Sequence, residues 1–209
     1  TFRFPPDSDE KVPDLVSGAQ PLALCDRFEL LEFLGRGGMG AVFRARQTSL
    51  GRDVALKRLR ATHGRSTEGM RALFLAEAKL TGKLEHPNIV PVYGLSEGAE
   101  QGDFLVMKLL KGRPWQALLR EAPRDWERHL GILLQVTQAV AYAHSLRIVH
   151  NDVKPANVLL GEFGEVQLAD WGLAVSIDPE AKAMGLRHAH DIDGPCGTPA
   201  YMPPELAEG

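Results

Sequence analysis

His150-Asn151-Asp152-Val153-Lys154-Pro155-Ala156-Asn157, followed thirteen residues later by Asp170-Trp171-Gly172, concentrates acidic, amide and basic side chains in short loops behind apolar strands. Asp170 and Asn157 supply hard oxygen atoms of the kind Mg²⁺ takes when it shares its shell with phosphates. Asp152 is then free to orient a hydroxyl and accept its proton, and Lys154 to neutralise charge on a transferred group. Turns also collect Asp, Asn and Pro. The whole set, in this order, points instead to phosphate chemistry.

Two upstream features agree with it. Leu34-Gly35-Arg36-Gly37-Gly38-Met39-Gly40-Ala41-Val42 contains G-x-G-x-x-G-x-V, in which Gly35, Gly37 and Gly40 let backbone N–H groups approach phosphate oxygens. A dinucleotide-binding reading requires a helix next. The strand-like Val42-Phe43-Arg44-Ala45-Arg46 follows, so the loop is read as the tip of a hairpin over a ligand. In Val54-Ala55-Leu56-Lys57, alternation puts Lys57 on the face shared by Ala55 and Leu59. Glu77 falls in the apolar stripe of a helix expected from about Thr67 to Leu84, with Met70, Leu73, Phe74, Leu80 and Leu84. A carboxylate on a buried stripe is expensive unless paired. The expectation is a Lys57–Glu77 ion pair holding Lys57 against an anionic ligand.

Composition bounds the rest. The chain has 209 residues, 44% apolar and 24% charged, with 24 basic against 27 acidic side chains. A net charge of −3 gives no global positive field for nucleic acid or anionic lipid. The most apolar helix-like run, Leu130 to Val136, is cut by Gln135 and soon after by Gln138, so no membrane contact is expected within this segment, while a parent chain could be anchored beyond Gly209. Cys25 and Cys196 make neither a disulfide framework nor a zinc site, which fits a reducing, cytoplasmic setting. His188, His190, Asp191, Asp193 and Cys196 match no structural zinc spacing and read as a solvated loop.

Residues 1–26, with four prolines among acidic side chains and no apolar period, read as a linker or N-terminal arm. From Arg27 onward, hairpin-like strands precede the first helix. A second helix opens at Pro123 and Asp125, with Leu130, Leu133, Leu134, Thr137, Val140, Ala141 and His144 as its expected apolar stripe. Strands early and helices late predict an α+β fold of two lobes, a β-rich small lobe at about 27–110 and a helical large lobe at about 111–209.

From Arg27 to Glu205 the chain resembles the eukaryotic-type protein kinases, in particular their bacterial serine/threonine branch. The resemblance rests on the glycine loop, Lys57, Glu77, the 150–157 loop, Asp170-Trp171-Gly172 and Gly197-Thr198-Pro199-Ala200-Tyr201-Met202-Pro203-Pro204-Glu205. It implies transfer of the ATP γ-phosphate to Ser/Thr hydroxyls of protein substrates, with Mg²⁺, or Mn²⁺ in its place. Asp152 would be the catalytic base, Asn157 and Asp170 the metal ligands, Lys57 the partner of the α/β-phosphates and Lys154 that of the γ-phosphate. Leu34, Val42, Ala55, Met107 and Leu159 would enclose adenine, with the backbone from Lys108 to Leu110 as hinge. Lys154-Pro155 and Thr198 resemble the serine/threonine type rather than the tyrosine type. Oligomeric state is left open.

Four positions depart from the family pattern. Asn151 stands where most members carry an arginine that pairs with an activation-loop phosphate, and residues 177–197 contain no Ser, Thr or Tyr. These two absences agree, so activity independent of phosphorylation there is expected; they also motivate a rival reading as a pseudokinase scaffold. Trp171 replaces phenylalanine, and Pro203 replaces alanine. The chain stops soon after Glu205, so the resemblance implies a catalytic domain truncated after the activation segment and unstable or inactive as these 209 residues alone.

Overall fold

Glycine and Ser-Leu-Gly punctuation between β-branched and apolar runs produces antiparallel hairpins at the start of the fold. The computed structural model describes residues 28–36, 40–59, 67–97, 103–182, 185–192 and 194–208. The arm at 1–26, Gly37 with Gly38 and Met39, Arg60 and Asp193 lie outside them. Strands β1 (Phe28–Arg36), β2 (Gly40–Gln47), β3 (Arg52–Leu59), β4 (Val92–Ser96) and β5 (Phe104–Lys108) form one sheet in the order β1-β2-β3-β5-β4. Register pairs Ala45 with Val54, Phe43 with Leu56 and Leu56 with Val106. Period-two alternation therefore gathers Ala45, Val54, Leu56, Phe104 and Val106 in a core on one face and turns Ala55 and Lys57 to the other.

Helix α1 (Thr67–Gly82) lies on that second face, packing Phe74 and Ala78 against Leu105. Of the expected stripe, Phe74, Leu80 and Leu84 are buried, whereas Leu73 is 42% exposed; Leu84 lies in the turn beyond the helix end.

The second half combines α2 (Trp115–Glu121), α3 (Trp126–Ser145) and α4 (Pro204–Glu208) with short strands. Strands β6 (Gly112–Pro114), β8 (Val158–Gly161) and β9 (Val166–Leu168) make a three-stranded sheet, and β7 (Ile148–Val149) pairs with β10 (Val175–Ser176). Helix α2 is absent from the sequence reading, because its seven residues bury only Leu118 and carry too little periodicity.

The expected stripe of α3 is corrected. Its buried residues are His129, Ile132, Val136, Ala139 and Ala143, while Leu130, Leu133 and Leu134 are 62%, 48% and 60% exposed. Small side chains at 139 and 143 let α3 sit closely against β7 and β9, and contact with a neighbour, not hydrophobicity alone, fixes the inward phase. Burial of His129 is tolerated because both ring nitrogens are satisfied: Trp115 Nε1 donates to Nδ1 at 2.9 Å, and Nε2 lies 2.8 Å from the Ala122 carbonyl oxygen. Nε2 therefore carries the hydrogen. Asp125 caps the helix by accepting from the Arg128 N–H. No helix among the described residues is long and apolar enough to cross a membrane.

Candidate active site

A cavity of about 530 Å³ opens between the Lys57 face of the sheet and the loops around β8 and β9. Leu34, Gly35, Val42 and Ala55 line it from the sheet, Met107 to Leu110 from the strand exit, and Leu159 from β8. Lys57, Glu77, Asn157 and Asp170 complete the polar part. Sequence reasoning missed Thr81, Val90, Leu105, Pro114, Ala156 and Ala169, all of which also face the cavity. Their types are ordinary core types, and only the fold brings them here. Gly40 is not among the lining residues. A Cβ there would stand 2.2 Å from the Arg58 carbonyl oxygen, so glycine is required by the close crossing of β2 and β3.

Lys57 and Glu77 meet as their spacing predicts. Lys57 Nζ donates to both carboxylate oxygens of Glu77, at 2.6 and 2.8 Å, and each residue is only 6% exposed. Burial pushes the Glu77 carboxyl above its ordinary pKa, and Lys57 offsets this only in part. Asp170 Oδ1 lies 3.9 Å from Lys57 Nζ, with its side chain half-exposed.

The 150–157 loop is built around Asp152, which is 7% exposed. Its Oδ2 accepts from Lys154 Nζ at 2.7 Å and from Asn157 Nδ2 at 3.0 Å, and its Oδ1 accepts from the Thr198 hydroxyl at 2.6 Å. Lys154 Nζ also donates to Thr198 Oγ1 at 2.6 Å. Burial alone would raise the Asp152 carboxyl, but hydrogen bonds from Lys154, Thr198 and Asn157 outweigh it and hold the group below its ordinary value. Asn157 uses its N–H₂ on Asp152, which turns its amide oxygen into a free acceptor. With the half-exposed Asp170 carboxylate on the same cavity, this all-oxygen donor pair fits a hard divalent cation.

His150 is structural in its contacts. Its Nδ1 accepts from the Asp152 backbone N–H at 3.2 Å and its Nε2 faces the Ala169 carbonyl oxygen at 3.2 Å. Burial holds it below the ordinary histidine pKa, in the neutral form. Asn151 adopts φ 64° and donates from Nδ2 to the Leu173 carbonyl oxygen at 3.1 Å. Gly197, at φ 128°, comes so close that a Cβ would stand 2.7 Å from the Asn151 carbonyl oxygen. This approach delivers Thr198 to Asp152. Between them the segment is tied by Ser176 N–H to the Arg187 carbonyl oxygen at 2.8 Å and by a Lys182–Asp191 ion pair at 2.6 Å. Among the described residues, which leave out Asp193, no group of three or more His, Cys, Asp and Glu side chains is placed to hold a metal ion.

Trp171 is 2% exposed, its ring 4.5 Å from that of His150, and its buried Nε1 has no hydrogen-bond partner. An unmet buried donor costs about 1–3 kcal/mol. Trp171→Phe removes that cost while leaving a smaller void than truncation to alanine. The expected change in unfolding free energy is within about 1 kcal/mol, measured by chemical denaturation.

Comparisons with known proteins agree with this geometry. Residues 28–209 match the protein kinase domain family. The DNA damage-responsive serine/threonine-protein kinase RqkA of Deinococcus radiodurans is 40% identical over 189 residues, covering 89% of this chain and 27% of the relative. Serine/threonine-protein kinase pkn3 of Myxococcus xanthus is 37% identical over 209 residues, covering 98% and 36%, and PrkC of Bacillus subtilis is 32% identical over 184 residues, covering 88% and 27%. The chain thus spans between a quarter and about a third of the length of these curated relatives. From the Lys57–Glu77 pair to the Asp152 loop, sequence, fold and likeness converge on one family, and while these relatives are named serine/threonine-protein kinases, the chain belongs to the protein kinase domain family.

Proposed function

We propose that this domain, residues 27–209 behind an N-terminal arm at 1–26, transfers the γ-phosphate of ATP to serine and threonine hydroxyls of protein substrates. The observation that carries the reading is the Asp152 carboxylate held by Lys154, Asn157 and Thr198 beside a cavity that also contains Asp170 and the Lys57–Glu77 pair. Leu34, Val42 and Ala55 cover one face of the adenine and Leu159 the other, while the backbone from Lys108 to Leu110 meets its edge. Lys57, kept in place by Glu77, binds the α/β-phosphates. Asn157 and Asp170 would hold Mg²⁺, which would supply charge neutralisation at the phosphate oxygens.

Asp152 is ionised at neutral pH and is a weak base, so its main work is to accept the hydrogen bond of the incoming hydroxyl and aim its oxygen. Lys154 balances charge on the phosphoryl group. Thr198 orders both side chains at once and sits where the substrate approaches, as suits a serine/threonine acceptor.

The test is phosphoryl transfer from labelled ATP to a generic basic protein by the full-length protein, with Asp170→Ala as control. Transfer that the substitution abolishes supports the reading. Binding of Mg-ATP without transfer by the unaltered protein overturns it and favours the scaffold.

A further inference from the structure

Helix α1 reaches the sheet at three places. In the middle, Phe74 and Ala78 pack on Leu105. On the cavity side, Glu77 pairs with Lys57. Toward its N-terminal end, Arg71 forks onto Asp103, with Nε donating to Oδ2 at 2.6 Å and Nη2 to Oδ1 at 3.1 Å. Glu97 adds a further carboxylate 3.6 Å from Arg71.

This outer clip is tied to the strands that carry the inner one. Lys57 stands opposite Leu105 in the β3–β5 register, and two residues further the Leu59 N–H donates to the Asp103 carbonyl oxygen at 3.0 Å. Arg71 precedes Glu77 by six residues, about 9 Å along the helix axis and about a third of a turn around it. The two polar ties therefore flank the Phe74–Leu105 contact from different sides. With only one in place, α1 can pivot on that contact.

The inner tie is poorly suited to hold the helix alone. Glu77 is enclosed, and burial raises its carboxyl pKa even with Lys57 present, so part of the cost of desolvating the carboxylate stays unmet when α1 sits on the sheet. The outer tie has the opposite character. Arg71 is 45% exposed and keeps much of its hydration, while Asp103, at 8%, is left as a buried carboxylate if Arg71 withdraws. Bidentate guanidinium–carboxylate geometry also fixes direction, not just distance.

We propose that Arg71 and Asp103 are positioning residues for phosphoryl transfer: their fork fixes the pitch of α1, and through it the placement of Glu77 on Lys57. The proposal rests on the functional reading above. It predicts that loss of the fork lowers the population in which Lys57 is correctly held, without touching the protein-substrate side.

The experiment uses the full-length protein and the variants Arg71→Ala, Arg71→Lys and Asp103→Asn, with the exchange Arg71→Asp plus Asp103→Arg. Arg71→Ala and Asp103→Asn are expected to lower kcat about tenfold with the protein-substrate KM unchanged. Arg71→Lys should fall in between, and the exchanged pair should recover at least part of the loss. Hydrogen exchange should quicken across residues 67–82 while residues 126–145 stay protected. A kcat within twofold of the unaltered protein with unchanged exchange in 67–82 overturns the proposal. So does quickened exchange in both helices alike, which marks general loosening. If the unaltered protein transfers no phosphate, the functional reading fails, and exchange in 67–82 alone decides whether the fork positions α1.

Discussion

Asp152→Asn lowers phosphoryl transfer by about 10²–10⁴-fold while ATP affinity stays within a few-fold. The separation follows from geometry. Asp152 is not a lining residue of the nucleotide cavity; it meets that site through Asn157, whose N–H₂ it binds. Its carboxylate accepts three side-chain hydrogen bonds, and an asparagine can accept at only one of its two terminal atoms. With the amide oxygen toward Lys154 and Asn157, the N–H₂ faces the Thr198 hydroxyl, whose own hydrogen loses its acceptor. Lys154 also loses its neutralising charge. The check is steady-state kinetics beside a direct nucleotide-binding titration. Equal losses in binding and turnover would show that Asp152 supports the cavity rather than the hydroxyl.

Lys57→Met abolishes measurable transfer and also destabilises the fold, by about 3–5 kcal/mol at neutral pH, because it leaves Glu77 buried without its cation. The pH dependence separates this from a packing defect. A carboxyl whose folded-state pKa is raised contributes stability at low pH, and loses it as pH rises through the folded value. Burial already raises Glu77 with Lys57 present, and removal of the cation raises it further. The variant's deficit should therefore shrink as pH falls from 8 toward 5, where a neutral Glu77 needs no cation. A deficit constant across that range, measured by urea denaturation, would assign the loss to packing of the lysine stem.

The 150–157 loop was readable because its chemistry is contiguous: His150, Asp152, Lys154 and Asn157 bond largely to one another and to neighbours in sequence. The Lys57–Glu77 pair was readable for a different reason, since a charge in an apolar stripe demands a partner. Helix α3 was misread where composition and packing diverge. Its leucines at 130, 133 and 134 form the more hydrophobic face, yet His129, Ala139 and Ala143 turn inward, because close approach favours small side chains and the histidine finds two partners. Nothing in the residues around Arg71 or Asp103 announces their fork, which spans 32 positions and depends on how α1 crosses β5. The Thr81 and Val90 contributions to the cavity were hidden for the same reason.

The middle of the activation segment offers no hydroxyl to carry a phosphate. Ser176, 1% exposed, donates its hydroxyl to the Arg147 carbonyl oxygen and accepts from the Asp178 N–H. The Thr198 hydroxyl lies between Lys154 and Asp152, and residues 177–197 offer no hydroxyl at all. Asn151, bonded to Leu173, carries no charge with which to receive a phosphate. Between Ser176 and Thr198 a modifying kinase would thus find no hydroxyl to mark, and at Asn151 no cation to read the mark. If the domain works as proposed, the middle of this segment takes its shape when the chain folds, through the Ser176–Arg187 and Lys182–Asp191 ties, rather than when a phosphate is added.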